Sequence, residues 1–176
     1  VLAGDPTVTS EQRARVETTA PYNLDAWDGY AYEREVILGT AIAARKNLVV
    51  LAGDTHNSWA GQLVTDASNP VSANAAAGVE FATSSVSSPG LENYLALNTQ
   101  SSEAVAQIEQ VIALLVNDLA YNNLVERGYL TVTFTQQQAL AQWHYVSSVK
   151  TADYTLLSER QKALSVQAGN PTLQMA

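Results

Sequence analysis

Cysteine is absent from this chain, and methionine (one), phenylalanine (two) and histidine (two) are scarce among its 176 residues. Without cysteine there is no disulfide framework; the absence says nothing about compartment, because a cysteine-free chain suits a periplasm as well as a cytosol. Basic residues are also few, nine Lys and Arg against seventeen Asp and Glu, for a formal net charge of −8. Such a surface cannot neutralise a row of phosphates, which argues against a nucleic-acid interface. No run of about eighteen apolar residues occurs, so the sequence offers no helical membrane span. No signal segment opens the chain, and in a piece of a longer protein that absence carries no meaning. No low-complexity tract is present. The sole internal repeat is a pentapeptide, too short for a solenoid. Length and a 47% apolar content suffice for a real core, and residues 1–176 read as one unit.

What the chain does have is concentrated between Asn47 and Trp59. The apolar run Leu48-Val-Val-Leu-Ala52 stops at Gly53, and Asp54 and His56 follow, two positions apart. A short branched run bounded by glycine reads as a buried strand with its loop beyond it. If the backbone stays extended, Asp54 and His56 share a side, because side chains alternate across a strand. In open α/β sheets ligands collect beyond the carboxyl ends of strands, where this pair would sit. A carboxylate beside a neutral imidazole suits a transition metal. The bland alternative is a turn-capping Asp and a surface His.

Five segments together resemble one family in order. Asn47 to Leu63 resembles the Gly-Asp-x-His block of the PhoD-like alkaline phosphatases, a branch of the calcineurin-type metallophosphatases. Tyr22-Asn-Leu-Asp25-Ala-Trp27-Asp28-Gly29-Tyr30 resembles its Trp-Asp-Gly-Tyr segment. Val79 to Gly90 resembles its Ser-Pro-Gly loop, and Tyr121 to Tyr129 its Arg-Gly-Tyr strand entry. The tail from Trp143-His144 to Leu173-Gln174 resembles its closing strands. The likeness covers roughly residues 18–174 and only the C-terminal part of the family's usual length.

The resemblance implies an α/β (mixed α+β) fold, the C-terminal half of a four-layer α/β/β/α sandwich, with a mixed sheet and antiparallel C-terminal strands. It implies hydrolysis of phosphate mono- or diesters by a metal-activated water, iron and calcium as metals, and a periplasmic or secreted enzyme. Asp54 and His56 would be metal ligands. Asp plus His does not choose among iron, zinc, manganese and calcium. An anionic ester is repelled at long range by a protein of charge −8, so a metal would supply the local positive charge. The family's remaining ligands, including an Asp/Tyr block and a Cys, come from an N-terminal portion that has no counterpart here. Val1-Leu-Ala-Gly-Asp5 repeats Val50 to Asp54, but Pro6 follows and no His or Asn stands nearby, so Asp5 is not read as a substitute. The chain is expected to be a fragment, inactive or nearly so alone, with the missing N-terminal part of the domain and a phosphate ester as its partners. The competing class is a non-catalytic binding or interaction domain, which would explain the polar loops without a metal.

Patterning predicts a short helix from Thr9, a second from about Gly29 to Lys46 with Tyr32, Val36, Ile37, Ile42 and the alanines recurring at helical spacing, and a strand over 47–52. Further strands are predicted at Ser58–Asp66 and Ala76–Ala82. A helix capped at Ser101 should bury Val105, Ile108, Val111, Ile112, Leu115 and Val116. An antiparallel pair is expected at Tyr129–Phe134 and Leu140–Val149, then one or two edge strands over 153–168.

Several other residues carry two readings. Asn57, the catalytic candidate, and Ser58 either donate to a substrate oxygen or close the turn. Trp27, Asp28 and Tyr30 either line a pocket mouth or anchor a turn on the sheet. Arg127 either forks onto a phosphate or pairs with Glu126 or another neighbour. The serines over 84–88 lack a local base, so they read as a loop near the site, with Gly90 admitting an unusual φ. His144, mid-strand between Trp143 and Tyr145, reads as structural.

Overall fold

Parallel pairing of Leu48–Ala52 (β1) with Ala76–Ala82 (β3) organises the fold, seen in a computed structural model that describes Thr9 and residues 24–176. The helix expected from Thr9 and the echoed Asp5 lie outside the described residues, as does the side chain of Asp28. The chain divides into two compact units, Val1–Val36 and Ile37–Ala176. In the first, Trp27–Tyr30 forms a 3-10 turn that runs into helix α1, Ala31–Ala43. Gly29 is required there by close approach, since a Cβ would lie 1.9 Å from the Leu24 carbonyl oxygen. Trp27 and Tyr30 are exposed rather than buried anchors.

Helix α1 buries only part of the apolar set expected. Ala41 is inside, with Leu38 and Gly39 beside it, while Tyr32, Val36 and Ile37 are exposed. Apolar residues ring this helix, so spacing alone does not select a face. Packing selects the narrow one, where a Cβ on Gly39 would stand 3.2 Å from Asn69 and Val71. The helix ends with Lys46 N–H donating to the Ala41 carbonyl (2.9 Å) and Arg45 at φ 52°, a left-handed cap without glycine.

The second unit is built on two four-stranded sheets. The first is mixed, in the order β1-β3-β2-β4, with β2 Ser58–Val64 and β4 Leu119–Asn123 antiparallel to their neighbours. The second is an antiparallel meander of β5 Arg127–Phe134, β6 Gln138–Val146, β7 Lys162–Gln167 and β8 Asn170–Met175. Alternation along β6 turns Ala139, Ala141, Trp143 and Tyr145 inward, against Ala60, Val79 and Phe81 of the first sheet. Trp143 packs edge-on to Phe81 at 5.8 Å, and its indole N–H donates to the Ala82 carbonyl at 2.9 Å, so the buried donor is satisfied.

On β2 the next residue points the other way. Trp59 meets a smaller cluster of Leu97, Val105 and Leu124 under helix α3, Ser102–Leu115. Between β3 and α3 lies a single helical turn, α2 (Leu91–Tyr94). Ser101 caps α3 as expected, its hydroxyl accepting from Ala104 N–H at 3.2 Å. Only the first half of the expected stripe is covered: Val111, Leu115 and Val116 are exposed, because the cluster beneath α3 extends no further than Ile112.

The mixed α/β class, with its antiparallel C-terminal strands, agrees with expectation. Three details differ. Strand β4 has no strand-like signature, its Leu-Ala-Tyr-Asn-Asn being poor in branched residues. Strand β7 is interior, between β6 and β8, instead of an edge. Strand β8 returns through a two-residue turn with Gly169 at φ 79°, and it carries Pro171 on the edge, where a missing N–H costs nothing. Among the described residues no helix is long and apolar enough to cross a membrane.

Candidate functional site

Because β1 and β3 run parallel, their carboxyl ends emerge side by side, and the loops 53–57 and 83–90 meet there. Thr83 N–H donates to the Ala52 carbonyl (3.2 Å) and Ser85 N–H to the His56 carbonyl (3.1 Å), stitching the two loops together. The first loop is not extended. Asp54 and His56 both lie in the left-handed region, at φ 64° and 63°, and Thr55 N–H closes a tight turn on the Gly53 carbonyl at 2.7 Å. Strand alternation therefore does not apply to this pair, and an extended backbone does not set them on one side. Left-handed backbone costs roughly 1–2 kcal/mol per residue, and Asp and His tolerate it better than most.

Asp54 is exposed and His56 half-buried. His56 Nδ1 lies 2.6 Å from the Pro89 carbonyl oxygen. A carbonyl only accepts, so Nδ1 carries a proton, and in the neutral ring the lone pair is on Nε2. That is how metal-binding histidines are commonly held, the ring oriented by a hydrogen bond to the nitrogen away from the metal. Among the described residues no group of three or more His, Cys, Asp or Glu converges to hold an ion. Asp54 and His56 provide two donor types that suit a metal and no more.

The other expected site residues point inward. Asn57 is buried: its amide donates to the Leu124 carbonyl (2.7 Å) and to Glu92 Oε2 (3.3 Å), and its Oδ1 accepts from Leu91 N–H (2.9 Å). With its amide and its carbonyl oxygen both engaged, it ties three segments together. Ser58 is buried against the Tyr145 hydroxyl, since β2 begins there and turns it toward the sandwich. Arg127, at the start of β5, donates to the His56 carbonyl (2.7 Å) and to Ser85 Oγ (2.5 Å), and it forms an ion pair with Glu92. Its ion-pair partner is therefore Glu92 and not Glu126. Glu126 pairs with Arg160 at 2.6 Å.

Trp27, Asp28 and Tyr30 belong to the first unit, where Trp27 and Tyr30 are exposed. His144 is structural, stacked on Tyr129 (4.9 Å between ring centres) with Nε2 3.3 Å from Thr131 Oγ1.

The glycine of the Ser-Pro-Gly loop has a different reason from the one expected. Gly90 has an ordinary φ of −113°, but a Cβ there would lie 2.6 Å from Glu92 Oε2 and 2.8 Å from Asn57 Oδ1. Crowding by the Glu92 and Asn57 side chains, not φ, favours glycine. Glu92 itself escaped the sequence reading, because a lone acid after a loop carries no pattern. On the flank of this loop is a cleft of about 540 Å³, walled by Val86, Pro89, Arg127, Lys150 and Leu157 among others, without Asp54 or His56.

Three of the sequence blocks, far apart in the chain, thus meet at one end of the sheet. Residues 1–143 match the PhoD-like phosphatase family. Alkaline phosphatase D of Bacillus subtilis (strain 168) is 29% identical over 129 residues, covering 73% of this chain and 20% of that protein. A solved structure, described as the structure of PhoD, superposes with a TM-score of 0.64 at 24% identity, over 88% of this chain and 27% of the other. That likeness concerns the fold. The chain spans about a fifth of the curated relative and about a quarter of the solved one. With the match running through most of its length, this chain belongs to the PhoD-like phosphatase family.

Proposed function

We propose that the chain is part of a metal-dependent hydrolase of phosphate mono- or diesters, in which Asp54 and His56 supply two metal ligands. The observation that carries the reading is the His56 ring, with Nδ1 committed to the Pro89 carbonyl and Nε2 left as a donor. Asp54 adds an exposed anionic oxygen donor two residues away. A metal bound there would lower the pKa of a coordinated water and offset the ester's charge. Iron and calcium follow from the family resemblance, and zinc or manganese suit the same donors. Trp27, Asp28 and Tyr30 remain candidates for substrate contact, and a periplasmic or secreted location follows from the resemblance alone.

Two ligands make a weaker site than the three or more of a catalytic metal. The remaining ligands are assigned to the N-terminal part of the domain, and this chain by itself is inactive or nearly so. Calorimetric titration of the chain with Mn²⁺ is expected to give weak binding that disappears in His56→Ala and in Asp54→Ala. Bis(p-nitrophenyl) phosphate should turn over only when the rest of the domain is supplied. Robust turnover by the chain alone, lost in His56→Ala, would overturn the incomplete-site argument. If neither Mn²⁺ nor Fe²⁺ binds, the metal reading falls and a non-catalytic interaction domain replaces it.

A further inference from the structure

We infer that Glu92 is the positioning residue of this site, holding His56 in its left-handed, Nδ1-protonated state through Asn57 on one side and Arg127 on the other. Glu92 is 5% exposed, and its carboxylate is fully engaged. Oε1 accepts from Gly90 N–H (3.2 Å), from the Asn93 amide (2.5 Å) and from the Arg127 guanidinium; Oε2 accepts from the Asn57 amide (3.3 Å). These bonds reach both sides of the histidine. Asn57 follows it directly in the chain, and Arg127 grips its carbonyl oxygen. Through Gly90, Glu92 also sets the segment whose Pro89 carbonyl receives the ring.

Three features separate this from ordinary core packing. A buried ion pair is poor value as a stabiliser, since desolvation offsets its attraction, and its best-attested use is to specify one conformation. Gly90 gives up its side chain to admit the carboxylate, since any Cβ would collide with it. The loop it braces contains two non-glycine residues at positive φ, which persist only where surrounding contacts over-determine them. The consequence for metal binding rests on the proposed function; the positioning claim itself does not.

The chain has two histidines, and His144 is held independently by Tyr129 and Thr131, so it serves as an internal control. With ¹⁵N-labelled histidine, at a pH where both rings are neutral, His56 should give a single Nδ1–H tautomer in the unaltered chain. In Glu92→Ala the His56 nitrogens should move toward the mixture of a free imidazole while those of His144 stay in place. Glu92→Gln, which keeps the shape and most acceptors, should restore part of the tautomer preference. Mn²⁺ affinity should fall about tenfold or more in Glu92→Ala, as for lost partners of ligating residues elsewhere. An unchanged His56 tautomer in folded Glu92→Ala would overturn the inference. If that variant does not fold, Arg127→Lys, which keeps the charge but loses the fork, is read by the same two outcomes. Should no variant bind Mn²⁺, the unaltered chain included, the metal reading fails while the tautomer still decides the role of Glu92.

Discussion

Gly128 and Arg45 are opposite cases of how a single residue meets its backbone. A Cβ on Gly128 would lie 1.9 Å from the His144 carbonyl oxygen and 2.9 Å from the Tyr145 Cα, all backbone of β6 with no flexible atom to yield. Gly128→Ala should therefore cost about 3 kcal/mol, at the upper end of overpacking effects, read as a lower midpoint in urea unfolding. An unchanged midpoint would mean that β5 and β6 separate at little cost. Arg45 takes the left-handed cap of α1 without glycine's freedom. The two histidines make the same contrast: one ring stacks on a tyrosine, while the other is held by one nitrogen with the second available.

Helix α3 shows the difference between an apolar stripe and a buried one. Val105 is 8% exposed and Leu115 77% exposed, yet both lie on the face that spacing selects. Val105→Ala should cost about 1–3 kcal/mol, whereas Leu115→Ala should stay within about 0.5 kcal/mol. Thermal or urea unfolding of the two variants checks this, and equal losses would mean that the far half of α3 is covered in solution. A half-buried network holds the same element in place. Glu109 accepts from Leu124 N–H (2.9 Å) and reaches Arg160 (3.5 Å), which is itself bidentate on Glu126. That arrangement raises the Arg160 pKa, chiefly through its hydrogen bond with Glu126.

Across the whole sandwich, the sheets meet at a pair of tyrosines. The Tyr121 and Tyr145 hydroxyls are 2.8 Å apart between the sheets. Burial pushes Tyr121 up to about 12 and moves Tyr145 upward as well. The folded state therefore binds more protons than the unfolded state above pH 10, so stability must fall as pH rises. The contribution is complete below about 10, the ordinary tyrosine value, and is lost as pH climbs toward about 12. Urea midpoints measured from pH 8 to 12 should decline above 10, and the decline should flatten in the Tyr121→Phe, Tyr145→Phe double variant. A flat profile in the unaltered chain would show that the pair is hydrated.

Local patterning determined a good deal of this protein. The period-2 alternation of β6, the limits of β3, the Ser101 cap and the glycine-bounded end of β1 are all written in neighbouring residues, because strand and helix geometry repeat over two to four positions. The tertiary structure alone decided which face of α1 is buried, that Leu119–Asn123 pairs as a strand, and that Asn57, Ser58 and Arg127 turn inward. It also made Glu92 a hub and set Asp54 and His56 at positive φ. These outcomes depend on partners remote in the chain. Asn57 is tied to a carbonyl 67 residues away, and His56 is gripped by a guanidinium 71 residues away. No spacing rule within a single element reaches that far, so the chemistry of the loop became visible only once both sheets had brought those segments together.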